Sequence, residues 1–190
     1  MVPKYPAESY TTEEVRRLLE ASGDTWVGKR NRALIVVMWR TGLRLAEALS
    51  LRIIDIDWQA QTIRVLHGKG DRARTVGIDR RALDVVQEYL NSTDRTFGPD
   101  SPLFCTRRGD KIQQSYVRAF LSRLARQADV RRRVHAHGFR HTFAVEMARE
   151  GVSMVNIQRL LGHVSLGTTS VYLASLSPEE ALDAVRGREW

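Results

Sequence analysis

Three of the five histidines, His135, His137 and His141, fall within seven residues of one another in the stretch RRRVHAHGFRHTFAVEMAREG, residues 131–151. They flank Arg140 and follow three consecutive arginines, Arg131, Arg132 and Arg133. Two chemistries suit such a set. As a metal site, His137 and His141 would share one helix face, four residues apart, as two zinc ligands do. Against it, position 138, where a zinc-peptidase helix carries its general-base glutamate, is Gly138. Arg140 between the two histidines opposes a dication, Cys105 is the only thiol, and the nearest carboxylate is Glu146. As a phosphate site, His137 and Arg140 stand three apart at a helix start and can point to one spot. Arg140 offers a planar fork of donors matched to two phosphate oxygens, and His137 adds a donor that also carries a proton. Taken by itself the stretch is read slightly better as a solvated basic helix end.

Four further residues bear on the choice. Arg44 follows the Gly42 turn in TGLRLAEALSL, with Glu47 three residues on to hold it in one orientation. Lys69 sits at the tip of HGKGD, where a flexible hairpin can deliver it to a substrate. His163 comes straight after Gly162, and Tyr172 nine residues later. Each has an ordinary reading alone: a surface arginine, a solvated lysine, a buried core tyrosine.

The elements that must position these residues are legible from periodicity. TTEEVRRLLEAS opens a helix with Thr11 and Glu14 at capping-box spacing. The first ten residues before it read as a loose lead-in. NRALIVVMWRTG is apolar on most sides, a buried helix stopped by Gly42, and LRLAEALSL is a second helix. The period then changes: Ile63 and Val65, then Val76 and Ile78, alternate around the Gly-rich HGKGD turn. This predicts a β-hairpin with a third strand around residues 54–58. RALDVVQEYLNS and QQSYVRAFLSRLARQAD return to helix, the latter with Val117, Phe120, Leu121 and Leu124 on one face. Helices follow in GFRHTFAVEMARE, SMVNIQRLLG and SPEEALDAV, the last opening with Ser177, Pro178 and Glu180. The expectation is a mainly α fold with a small three-stranded antiparallel β-sheet.

Composition narrows the partners. A formal charge of +8 and a pI of about 10.2 favour a polyanion, nucleic acid before an anionic membrane, with a merely basic enzyme as the alternative. The longest apolar run, residues 33–39, is too short to cross a bilayer. The N-terminus has no signal-peptide core, and a single cysteine cannot form an internal disulfide. These features lead us to expect a soluble cytosolic protein with no membrane partner.

Together TGLRLAEALSL, HGKGDRARTV, HGFRHTFA and LLGHVSLGTTSVY, in this order and at this spacing, resemble the catalytic domain of the tyrosine recombinases, the phage-type integrases and Xer-like resolvases. The likeness runs from about Thr11 to Ser175. It implies a tyrosine recombinase or type IB topoisomerase-like catalytic domain over residues 11–176, with residues 177–190 as a C-terminal helix and tail that docks on its own body or on a neighbouring subunit. The N-terminal core-binding domain usual in the family is expected to be absent. Residue by residue, Arg44 and Arg140 match the catalytic arginines, Glu47 the supporting acid, and Lys69 the hairpin lysine. His137 matches the histidine of the His-x-x-Arg pair, His163 that of the Leu-Gly-His motif, and Tyr172 the nucleophile. Phe139 stands where leucine is more usual. His135 and His141 receive no catalytic role, and Arg72, Arg74 and Arg131, Arg132 and Arg133 are assigned to the DNA backbone.

The implied reaction is attack by tyrosine on a DNA phosphodiester, leaving a 3′-phosphotyrosyl link and a free 5′-hydroxyl. One ester replaces another, so neither ATP nor metal nor any other cofactor is required, and activity in excess EDTA is expected. A free phenol, with a pKa of about 10, is only about one part in a thousand ionised at pH 7; it needs a base, for which His137 is the candidate. Arg44, Arg140 and His163 would stabilise the non-bridging oxygens, and Lys69 would protonate the leaving oxygen. The implied partners are double-stranded DNA, other copies of the chain in a tetrameric synapse, and an accessory protein. Rival expectations are a topoisomerase that nicks and reseals one duplex, and a non-catalytic DNA-binding module.

Overall fold

The computed structural model describes residues 9–66 and 73–162. Among these, seven α-helices surround a three-stranded antiparallel sheet. The segments SLGTTSVYLA and SPEEALDAV lie outside the described residues.

Helix α1, Thr12–Ala21, starts where its capping box dictates. Thr11 Oγ1 accepts from the Glu14 backbone N–H at 3.1 Å, and the Glu14 carboxylate accepts from the Thr11 N–H at 2.8 Å. Helix α2, Trp26–Thr41, begins a turn and a half before the apolar stretch, because Thr25 caps it and accepts from the Gly28 N–H. Its interior is buried nearly all round, and it packs against α4, Arg80–Asn91, and α6, Ala136–Arg149. It ends at Gly42 in the left-handed region, φ 64°, and the chain turns directly into α3, Leu45–Ser50.

The sheet runs β1, Ile56–Asp57, β2, Thr62–Val65, and β3, Arg74–Gly77, in that order. Its register pairs Ile63 with Val76 and Val65 with Arg74. The edge strand expected over residues 54–58 is shorter than its alternation predicts. Residues 53–55 form a 3-10 turn, because the Asp55 carboxylate accepts from the Arg52 backbone N–H at 2.9 Å and closes the chain before the ladder begins.

Helix α5, Gln114–Gln127, buries Val117, Phe120, Leu121 and Leu124, as its spacing requires. Helix α7, Met154–Leu161, is capped by Ser153 and stopped by Gly162, φ 64°. Most of the core is one cluster around α2; a smaller one, Phe143, Ala144, Ile157 and Leu161, joins α6 to α7. The lead-in is not loose to its end. Tyr10 is buried, its ring edge-on to Phe139 with centroids 5.0 Å apart, and its backbone N–H donates to Thr142 Oγ1 at 2.8 Å. Among the described residues no helix is long and apolar enough to cross a membrane.

Candidate active site

The Gly42 turn and the start of α6 bring two arginines to one cleft. Arg140 is 1 % exposed, and it is held by two of its donors, Nη1 on the Gly42 carbonyl and Nη2 on the Leu161 carbonyl, both at 2.7 Å. A guanidinium buried to this degree is stable only with such partners. Gly42 is required here twice over. Its φ is positive, and an added Cβ would stand 2.5 Å from Phe143 Cδ1. Arg44, at the mouth of α3, donates Nη1 to Glu47 Oε1 at 2.8 Å and Nη2 to the Gly162 carbonyl at 3.2 Å.

Glu47 is 3 % exposed and is the organising anion. Its Oε2 accepts from the Arg44 backbone N–H at 2.8 Å, and both its oxygens accept from Arg74, at 2.9 and 2.8 Å. Burial works to raise its pKa. The hydrogen bonds from Arg74 and the Arg44 N–H, with the charges behind them, outweigh it and hold the carboxyl below its ordinary value.

His137, on the first turn of α6, opens toward solvent in the same cleft. The protein around it displaces water, and Arg140, His135 and Arg44 add positive charge, so its pKa is lowered and the neutral imidazole is favoured. The cleft has a volume of about 520 Å³ and is walled by Arg44, Gln114, Arg118, Arg133, His135, His137 and Arg140. No carboxylate is among the described residues that line it. A larger cavity of about 710 Å³ beside the sheet carries Asp55 and Asp57 instead. Charge rather than size therefore singles out the arginine cleft as the candidate anion site. Among the described residues no three of histidine, cysteine, aspartate and glutamate gather as a metal-ligand set.

The structure thus brings Arg44, Glu47, His137 and Arg140 together. Lys69, Arg72, His163 and Tyr172 lie outside the described residues. Two arginines expected on DNA are turned into the protein. Arg74 grips Glu47 and donates Nε to the Leu160 carbonyl at 3.0 Å, because it shares the inward face of β3 with Val76. Arg132 pairs with Glu14 at 2.9 Å and donates to the Ser9 carbonyl at 2.9 Å. Its neighbours Arg131 and Arg133 are exposed.

The histidines without a catalytic assignment have structural places. His135 caps α6, its Nδ1 accepting from the Gly138 N–H at 3.1 Å. His141 is 1 % exposed inside the helix; burial first, then the charge of His137, pushes its pKa down to about 4. Sequence reasoning missed Tyr10, whose hydroxyl donates to the His135 carbonyl at 3.1 Å and accepts from the His135 N–H at 2.9 Å. An apolar ring just before a capping box, with Val15 four residues inside the helix, is the hydrophobic-staple pattern that could have found it.

Comparison with known proteins agrees with this geometry. The chain is 31% identical over 160 residues to tyrosine recombinase XerC of Shewanella oneidensis, covering 84% of this chain and 52% of that one. It is 36% identical over 179 residues to the XerC of Halalkalibacterium halodurans, covering 90% and 58%. It therefore spans little more than half the length of these relatives. In structure it is similar to the XerA recombinase, with a TM-score of 0.81 at 26% identity over 100% of this chain and 67% of that one. It is also similar to the XerH site-specific recombinase, solved in a post-cleavage complex with a palindromic difH substrate, with a TM-score of 0.78 at 28% identity over 95% and 53%. The family model of the phage integrase family matches residues 8–178, a span that contains every arginine and histidine of the site described above, and the chain belongs to that family.

Proposed function

We propose that this chain is the catalytic domain of a site-specific DNA recombinase that cleaves and rejoins strands through a 3′-phosphotyrosyl intermediate. The observation that carries the reading is the convergence of Arg44, His137 and Arg140 on one cleft with no carboxylate among the described residues that line it. A phosphodiester seated there meets two guanidinium forks held by backbone carbonyls and by Glu47. Donors fixed before the reaction stabilise the charge that develops on the non-bridging oxygens without having to reorganise.

The phenol of Tyr172 attacks phosphorus and the bond to the 5′-oxygen breaks. The neutral imidazole of His137 accepts the phenolic proton. Lys69 supplies a proton to the departing 5′-oxygen, and His163 donates to a non-bridging oxygen. The roles of these three residues, Tyr172, Lys69 and His163, rest on the motif likeness. Reversal with a different 5′-hydroxyl joins new strands. The exposed Arg131 and Arg133 beside the cleft hold the DNA backbone. Residues 11–176 form the catalytic unit, working on double-stranded DNA in a tetramer of like chains with an accessory protein, in the cytoplasm at the nucleoid.

The test is a nicked duplex suicide substrate. Wild type should trap a covalent protein–DNA adduct and Tyr172→Phe should trap none. No adduct from the wild type overturns the reading. Relaxation of supercoiled plasmid without recombinant product would assign the same chemistry to a topoisomerase.

A further inference from the structure

We infer that Arg74 is a positioning residue for the cleft: it fixes Arg44 through the shared Glu47 carboxylate and fixes the end of α7 through the Leu160 carbonyl. The inference rests on the proposed recombinase reading, since it concerns how the phosphate-binding arginines are held.

Glu47 accepts four donors. Oε1 takes Arg44 Nη1 at 2.8 Å and Arg74 Nη1 at 2.9 Å; Oε2 takes the Arg44 backbone N–H and Arg74 Nη2, both at 2.8 Å. Four is the capacity of a carboxylate, so no oxygen is left to pull Arg44 elsewhere. The third arm of Arg74, Nε, reaches the Leu160 carbonyl at 3.0 Å. Arg140 takes the next carbonyl, Leu161, and Arg44 the next, Gly162. Three guanidiniums thus hold three successive carbonyls at the C-terminal end of α7, where the helix dipole is negative and cations are favoured. The chain continues from Gly162 straight into His163.

The fit is close. A Cβ on Gly162 would stand 3.2 Å from Arg74 Cζ, Nε and Nη1 alike, so a glycine there lets the guanidinium lie on the backbone. Arg74 itself is anchored by its strand, opposite Val65 and two residues from the buried Val76. Without it, a buried carboxylate would keep one cation instead of two, and Arg44 would be drawn toward both oxygens and away from the Gly162 carbonyl. Shifts of this kind, of about 1 Å at a reacting group, typically lower rates about a hundredfold.

The experiment compares wild type, Arg74→Met and Arg74→Lys in single-turnover adduct formation on the suicide substrate, with duplex affinity measured across a salt series. For Arg74→Met we expect affinity within about twofold of wild type and an unchanged salt slope, with the rate constant at saturating DNA down about a hundredfold. For Arg74→Lys, which restores charge but not the three-armed geometry, we expect at most about a tenfold recovery. Weaker binding with the salt slope reduced by about one and the saturated rate unchanged would make Arg74 a phosphate contact and overturn the inference. So would a loss of adduct amplitude at an unchanged rate constant, the mark of a purely structural role, or full recovery with lysine. Should Arg74→Met not fold, Arg74→Lys alone decides, because it keeps a cation on Glu47. A wild type that forms no adduct defeats the recombinase reading instead.

Discussion

Replacing Tyr10 with phenylalanine removes one oxygen and keeps the ring. The hydroxyl ties the start of α1 to the loop that launches α6, donating to the His135 carbonyl at 3.1 Å and accepting from the His135 N–H at 2.9 Å. His137 stands two residues further along, so this tie sets where the imidazole enters the cleft. Burial raises the Tyr10 pKa to about 12, with the His135 hydrogen bond working the other way, so the group remains a donor throughout the neutral range. Two such hydrogen bonds are worth about 1 kcal/mol each, with the partly buried His135 N–H left unsatisfied, so Tyr10→Phe should destabilise by about 2 kcal/mol. For a chain of this size that lowers Tm by about 4–8 °C. Tyr10→Leu also loses the edge-on contact with Phe139 and should cost about 4 kcal/mol. Calorimetry or circular dichroism melts at pH 7 measure both. If Tyr10→Phe melts within about 1 °C of wild type, or is as damaging as Tyr10→Leu, the hydroxyl does not hold the segment and the reasoning fails.

Gly42→Ala forces a side chain into a left-handed turn and onto Phe143 and Leu161; urea denaturation should show a loss of about 3 kcal/mol. His141 is held neutral, its folded pKa of about 4 lying below its ordinary 6.5. The stability this contributes is complete above pH 6.5 and is lost as pH falls toward 4. Denaturation should show about 2–3 kcal/mol less difference between wild type and His141→Leu at pH 4.5 than at pH 7, and a pH-independent difference would refute this. Arg131→Ala and Arg133→Ala should each reduce the salt slope of DNA binding by about one. Arg132→Ala should leave that slope unchanged and lower Tm instead, since its guanidinium is spent on Glu14 and the Ser9 carbonyl.

The helices were legible because their caps and apolar spacing are local: Thr11 with Glu14, Gly42, Ser153 and Gly162 mark ends that the structure reproduces. Arg44 with Glu47 and His137 with Arg140 were legible for the same reason, each pair lying within one turn. What was not legible joins distant segments. Arg74 meets Glu47 across 27 residues and Leu160 across 86. The period-2 rule puts Arg74 on the same face as Val76 and Ile78, a signal that the assignment to the DNA backbone passed over, and the partner could not be named from the strand. Arg132 differs from Arg131 and Arg133 only in what α1 offers opposite it. Tyr10 acts on a loop 125 residues away.

Apart from Glu47, the acceptors described above for Arg44, Arg74 and Arg140 are main-chain oxygens of Gly42, Leu160, Leu161 and Gly162. A main-chain oxygen survives any exchange of the side chain beside it. The solvent-facing positions of α7, among them the exposed Val155, can therefore drift or be redesigned with little consequence for catalysis. Tolerance should end abruptly at the two glycines, where the path of the chain itself would have to change.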